Sequence, residues 1–280
     1  MPMMSLLAAP ASAVRRRRQV LATAGTVGTL LMTGYTESAS AASATGTASA
    51  GATLGGLFRG ATLSDAAAEE KDWTRGMDVS GHQRNVDWAT AWRRGGRFVY
   101  IKATEGTSFR NPYFGQQYNG SYSVGMIRGA YHFALPNRSS GAAQGAYLAR
   151  HGGQWTSDGR TLPPALDIEY NPYGPTCYGL SPSSMVSWIK DFSETVEDKV
   201  GRHPVIYTTA NWWKRCTGND SSIGDKNPLW IARWSTDPGE LPAGWEKWRF
   251  WQTANRGSLP GDQNVFGGSL KKLRKFAKDD

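Results

Sequence analysis

Histidine, cysteine and long apolar runs are all in short supply in this chain, and each shortage removes a class of protein. Two cysteines and four histidines in 280 residues leave no zinc-finger ligand cluster and no H-E-x-x-H pair for a metal-dependent hydrolase. No metal and no cofactor are expected. Gly76, Gly81 and Gly106 do not form a phosphate loop. No stretch approaches the roughly 20 apolar residues of a spanning helix, so stable membrane insertion is not expected. Acid is scarcer than base: 23 Asp and Glu face 32 Lys and Arg, a formal charge of +9. Nucleic acid would suit that charge, but no RNA-recognition or zinc-finger signature supports it. No internal repeat is present.

What is present divides the chain in three. Arg15, Arg16, Arg17 and Arg18 precede a mildly apolar run over 20–32, and no acid occurs before Glu37. Ala39 and Ala41 then fit a small-x-small cleavage site. Residues 1–41 read as an export signal, and Arg17-Arg18 fits the twin-arginine type as well as a general one. Residues 42–71 are Ala, Ser, Thr and Gly with few large side chains, a flexible spacer. Residues 72–280 carry all twelve tryptophans and have the length of one barrel domain. Removing the signal leaves a charge of about +6, which suits an anionic polymer such as a cell wall. A secreted, extracellular monomer is expected. Cys177 and Cys216 stand in loop-like sequence, and an exported chain should join them in one disulfide.

Strand-like segments recur at 76–80, 98–104, 126–134, 165–169, 205–208, 229–234, 248–252 and 264–266. Helical patterns lie between the first five. Asn85 can cap a helix to Arg94, and Ser139 or Ser140 can open one that ends at Gly152-Gly153. The clearest starts at Ser181-Pro182 and repeats Met185, Trp188, Ile189, Phe192, Val196 and Val200 until Gly201. After Trp234 the connections are rich in Pro and Gly and too short for crossover helices. The pattern predicts an α/β, TIM-like barrel whose last strands have lost their helices, with working residues at the C-terminal strand ends.

Asp167 and Glu169 are the most informative residues. They close the run LPPAL (162–166) and flank Ile168. On a strand, residues two apart share a face with Cα atoms about 6.6 Å apart. Two carboxyls on one face of a buried strand must lose water beside a like charge. That cost is met where two carboxyls cooperate, as in glycoside hydrolysis, or where Arg, Lys or backbone donors hold them. Asp78 and Asp262 fall at the first and last strands, which become neighbours if the barrel closes. Tyr131, Tyr207, Trp230 and Gln252 are candidates for sugar contact. His82 and His132 are expected to make structural hydrogen bonds.

In order along the chain come GMDVSGHQ (76–83), YIKATEG (100–106), RGAYHF (128–133), LDIEY (166–170), VIYT (205–208), LWIAR (229–233), WQ (251–252) and DQNVF (262–266). These stretches resemble glycoside hydrolase family 25, secreted bacterial lysozymes that act as N-acetylmuramidases. The resemblance spans about residues 74–270. It implies a barrel of eight strands and five helices. It also implies hydrolysis of the β-1,4 bond between N-acetylmuramic acid and N-acetylglucosamine in peptidoglycan. Its acidic cluster falls on Asp78, Asp167, Glu169 and Asp262. Glu169 would be the proton donor, its pKa raised by burial and nearby carboxylates, and Asp167 would stay ionised to stabilise the intermediate. Asp78 and Asp262 would support them. Trp234 and Thr253 depart from the family, which commonly has Tyr there. The basic tail at 271–275 lies outside the pattern and reads as a solvated end. A barrel that binds wall glycan without cutting it is the alternative from another class. A hydrolase of chitin-like or glucosaminidase bonds is the third reading.

Overall fold

The computed structural model describes residues 73–279. The expected export signal and spacer lie outside the described residues.

Eight strands close into a barrel: β1 (Thr74–Val79), β2 (Phe98–Glu105), β4 (Ile127–Phe133), β5 (Ala165–Asp167), β6 (Val205–Thr208), β7 (Leu229–Ala232), β8 (Phe250–Ala254) and β9 (Asp262–Phe266). A two-residue strand, β3 (Phe109–Arg110), pairs with the end of β2. Neighbours run parallel from β1 through β8. Only β9 runs against both its neighbours, and it seals the barrel between β8 and β1. Its short, Pro- and Gly-bearing connection to β8 has no room for the crossover that a parallel strand would need.

Six α-helices accompany the strands: α1 (Trp88–Arg93), α2 (Phe114–Ser123), α3 (Gly141–Arg150), α4 (Pro182–Val200), α5 (Ala210–Thr217) and α6 (Leu270–Lys278). The α4 helix follows its sequence signals closely. Ser181 accepts from the Ser184 N–H at 3.2 Å, Pro182 opens the first turn, and Gly201 ends it in the left-handed region at φ 80°. Its apolar stripe of Met185, Ile189, Phe192 and Val196 is fully buried in the layer between barrel and helices. Against it α3 packs backbone to backbone. A Cβ on Gly141 would stand 2.2 Å from the Trp188 carbonyl oxygen, so only glycine allows that approach.

The barrel interior is built in layers because alternate residues of each strand point inward. Phe98, Val205, Phe250 and Phe266 fill the end where the parallel strands start. Tyr100, Tyr131, Tyr207 and Trp230 form an aromatic floor above them. Tyr100 stacks on Trp230 with centroids 4.8 Å apart. Asp78, Lys102, Asp167 and Gln252 lie two residues further along their strands from interior positions, where the strands finish. Inward Gly76 and Gly129 make the room: Cβ atoms there would lie 2.4 Å from the rings of Phe98 and Tyr100.

Several boundaries differ from the sequence pattern. Strand β5 ends at Asp167, so Glu169 sits just beyond it, and β8 is shifted forward to start at Phe250. The first helix is capped by Asp87, not Asn85: Asp87 Oδ1 accepts from the Thr90 N–H at 3.0 Å. Six helices stand where five were expected. The α2 helix gives little apolar signal because it buries the polar Gln117 and Ser121. The larger correction is the basic tail. It forms α6, with Ser269 at its N-cap and with Leu273 and Ala277 fully buried against Phe266 and Phe276. Leu270, Leu273 and Ala277 recur at helical spacing, and the surrounding cations hide that stripe in composition. Burying such a stripe is worth about 1.5–3 kcal/mol for a side chain the size of Leu.

Cys177 and Cys216 are bonded, with Cα atoms 5.3 Å apart. The bridge ties the loop after β5, which carries Tyr170, Tyr173 and Tyr178, to the end of α5. The bridged residues are separated by 39 positions, worth about 4 kcal/mol in the chain-entropy account. Replacing both cysteines by serine should lower the melting temperature by on the order of 10 °C. Calorimetry checks this, and an unchanged melting temperature would deny the bridge a structural role.

Candidate active site

The end of the barrel where the parallel strands finish opens into a cleft. Its walls include Asp78, Ser80, His82, Lys102, Tyr131, Phe133, Asp167, Glu169, Tyr207, Trp230, Gln252 and Asp262. All four acidic residues singled out in the sequence therefore meet in one place, together with all four candidates for sugar contact. Each is delivered by a strand end. Asp78 and Asp262 are register partners across the β1–β9 pair that closes the barrel. Asp167 is the last residue of β5, and Ile168 points away into the fully buried layer outside the barrel. Glu169 thus returns to the cleft side although the strand has ended.

Hydrogen bonds organise the floor. Asp78 Oδ2 accepts from Gln252 Nε2 at 2.9 Å and from Asn264 Nδ2 at 2.7 Å. Gln252 Oε1 accepts from Tyr207 Oη at 3.1 Å and from Trp234 Nε1 at 2.9 Å. Asn264 Oδ1 accepts the Trp230 indole N–H at 2.8 Å. These amides fix the aromatic rings against the Asp78 carboxyl. Asp167 differs: its Oδ1 is buried, and no donor among the described residues reaches it. A buried carboxylate oxygen without a donor is costly unless a ligand supplies one.

The cluster is short of positive charge. Lys102 lines the cleft, but its Nζ lies 2.6 Å from Glu105 Oε2. Burial, reinforced by Asp262, raises the Glu169 carboxyl to about 7, with Lys102 opposing. Burial and then Asp262 raise Asp78 to about 7, despite its two amide donors. Burial raises Asp262 as well. Asp167 is pushed well above the ordinary carboxyl range, first by burial and then by Glu169. Asp167 and Glu169 compete for a proton in a space where both cannot readily ionise.

Other expectations divide. Trp230 and Gln252, each at 2% exposure, and Tyr131 and Tyr207, each at 8%, border the cleft as parts of its packed floor. His132 is structural: fully buried, it lies 2.8 Å from Thr104 Oγ1 through Nδ1 and 2.8 Å from Gln144 Oε1 through Nε2. Burial lowers its pKa to about 4, so it is neutral. His82 stands exposed at the cleft, and its side chain has no hydrogen bond among the described residues.

Sequence reasoning missed Asn264, Lys102 and the aromatic rim. Asn264 follows Asp262 by two strand positions, the same spacing that exposed the Asp167–Glu169 pair. A second lobe runs from Glu169 past Tyr170, Ala232 and Trp234. Trp234, 60% exposed, stands as a wall there in place of the tyrosine common in the resembling family. On the other flank Tyr173 Oη donates to Glu105 at 2.8 Å. An open groove with aromatic walls and carboxyls at its centre suits a chain of sugars. The pair of carboxyls within it suits protonation of a glycosidic oxygen beside a growing positive charge.

Comparisons with known proteins agree with that chemistry. Residues 77–262 match the family described as glycosyl hydrolases family 25. An N,O-diacetylmuramidase from Arthroderma benhamiae is 47% identical over 204 residues, 73% of this chain and 86% of the relative. Lysozyme M1 from Streptomyces globisporus is 45% identical over 210 residues, covering 73% of this chain and 71% of its own. The solved structure of a muramidase from Acremonium alcalophilum superposes with a TM-score of 0.72 at 53% identity, over 74% of this chain and 99% of that one. This chain belongs to family 25 of the glycosyl hydrolases.

Proposed function

We propose that the protein is a secreted lysozyme that cuts the β-1,4 bond between N-acetylmuramic acid and N-acetylglucosamine in bacterial peptidoglycan, with Glu169 as proton donor and Asp167 as stabiliser. The observation that carries this reading is the carboxyl pair in the cleft: Glu169 raised to about 7 beside an Asp167 whose Oδ1 has no donor among the described residues. Glu169 holds a proton at neutral pH and can give it to the leaving oxygen. Once sugar is bound, the proton that the pair shares settles on Glu169 and leaves Asp167 ionised; Glu169 then passes that proton to the leaving oxygen while positive charge grows on the sugar beside Asp167. Asp167 Oδ1, which accepts from no donor among the described residues, suits the acetamido N–H of an N-acetylated sugar. Asp78, anchored by two amides, and Asp262 hold the pair's proton affinity high. The names of the relatives, muramidase and lysozyme, favour the same substrate class. The export signal read in residues 1–41 and the basic charge favour action on a wall outside the cell.

Glu169→Gln should lower wall turnover by about 10²–10⁴-fold, because the amide keeps the shape but has no proton to give. Asp167→Asn should also be severe, and Asp78→Asn and Asp262→Asn should cost less. Mass spectrometry of digested, purified peptidoglycan should find new reducing ends on N-acetylmuramic acid. Reducing ends on N-acetylglucosamine would make the enzyme a glucosaminidase, and binding without new ends would make it a glycan-binding barrel.

The same variant should be more stable than the parent, in one pH range only. The folded state raises the Glu169 carboxyl from its ordinary 4.5 to about 7, so folding favours its protonated form. The associated stability is complete below about pH 4 and drains away as pH rises through 7. Gln cannot ionise and avoids that loss. Melting temperatures of Glu169→Gln and parent should coincide near pH 4 and separate by on the order of 5 °C at pH 8, the variant higher. A variant less stable at pH 8 would contradict the raised carboxyl.

A further inference from the structure

The end of the barrel opposite the cleft is basic. Arg75, Arg97, Arg128, Arg202, Lys226 and Arg249 stand at or within three residues of the starts of six strands. The α6 helix closes that end, and its nine residues, LKKLRKFAK, include five cations and no acid. Leu273 and Ala277 pack inward, while Lys271, Lys272, Arg274, Lys275 and Lys278 are all exposed. The ion pairs among the described residues use Lys102, Arg202, Lys214 and Arg233, and none of these five. Like charges three and four apart on a helix repel and cost stability. A helix needed only as a plug would be served better by glutamate or glutamine on its outer face.

We propose that the outer face of α6 docks on an anionic wall polymer of the phosphodiester type and holds the enzyme on the wall with its cleft turned the other way. The choice of a wall polymer rests on the lysozyme reading; the attraction of this face for a polyanion does not. Charge is all that this face offers, which separates the polymer from two other polyanions. A membrane-binding helix must bury its apolar stripe in lipid, but Leu273 and Ala277 are already spent inside the barrel. Single-stranded nucleic acid is held by exposed aromatic rings. The exposed large apolar side chains are Phe109, Tyr170, Tyr173 and Trp234, all at the cleft end. The hollow next to α6 does not compete for the polymer, because Glu197, Asp225 and Glu246 line it among its cations.

The test measures binding of the full chain to sodium polyphosphate and to purified wall, before and after acid stripping of phosphodiester polymers. The logarithm of affinity should fall with the logarithm of salt with a slope of about −3 or steeper, from four or five phosphate contacts. Substituting Lys271, Lys272, Arg274 and Lys275 together by Gln should flatten that slope by about 3 and remove most wall binding. Cutting of stripped peptidoglycan should stay at the parental rate. Removing Arg84, Arg110, Arg138 and Arg256 instead should leave binding within about threefold of the parent, since spread surface charge is screened. A salt-insensitive parent would overturn the proposal without any variant. So would equal loss in both quadruple variants, full binding to stripped wall, or tighter binding to anionic vesicles or single-stranded DNA than to polyphosphate. Failure to cut peptidoglycan would instead show as missing reducing ends with these affinities intact.

Discussion

Four carboxyl groups crowded at one end of a barrel, with their nearest cation already engaged, set the terms for everything else here. Left in water, Asp78, Asp167, Glu169 and Asp262 would each lose a proton near pH 4. In the cleft, burial and mutual repulsion keep at least part of that proton content at neutral pH. Lys102 could cancel the effect, but Glu105 holds it at 2.6 Å. The chain thus carries an unfavourable charge arrangement that only a stiff scaffold can maintain. The same arrangement raises the Glu169 carboxyl to about 7, as the proposed role of proton donor requires.

The scaffold meets that demand through closure and packing. The antiparallel β9 strand brings Asp262 directly opposite Asp78, a meeting that an open sheet would not provide. Beneath the acids, Tyr100, Tyr207 and Trp230 form a packed ring layer: Tyr207 and Trp230 donate to the amide oxygens of Gln252 and Asn264, and Tyr100 donates to the Pro163 carbonyl. Further down, phenylalanines and then α6 close the other end. The loop after β5 carries the exposed Tyr170 and Tyr173, and the Cys177–Cys216 bridge fixes it to α5. Burial therefore decreases from the packed interior to the aromatic rim of Tyr170, Tyr173 and Trp234.

Much of this was legible in the sequence, for identifiable reasons. The eight strands read clearly because β-branched and aromatic runs alternate with turn residues, and α4 read to its last residue because cap, proline, stripe and glycine all agree. Asp167 and Glu169 read from two-residue spacing, and Asp78 and Asp262 from their places at the first and last strands and from the family resemblance. Three things did not read. The α2 helix buries Gln117 and Ser121, so its inward face looks polar. The α6 helix buries Leu273 and Ala277 beneath a row of cations that resembles a solvated tail. The α5 helix (Ala210–Thr217) lies beyond the fifth strand, where no helical pattern stood out, and its buried face of Trp212, Trp213 and Cys216 spans only two turns. Asn264 sat within a recognised motif, yet its link between Asp78 and Trp230 appears only once β8, β9 and β1 lie side by side.

The molecule is also electrically divided, with acids where the strands finish and cations where they start. Its chemistry rests on a proton held at the acidic end. Carbon NMR of the side-chain carboxyls in the free protein, titrated from pH 3 to 9, measures that proton directly. A Glu169 resonance with its midpoint near 7, absent in Glu169→Gln and accompanied there by a lower midpoint for Asp167, is the expected result. Four carboxyls all titrating near pH 4, independently of one another, would contradict it.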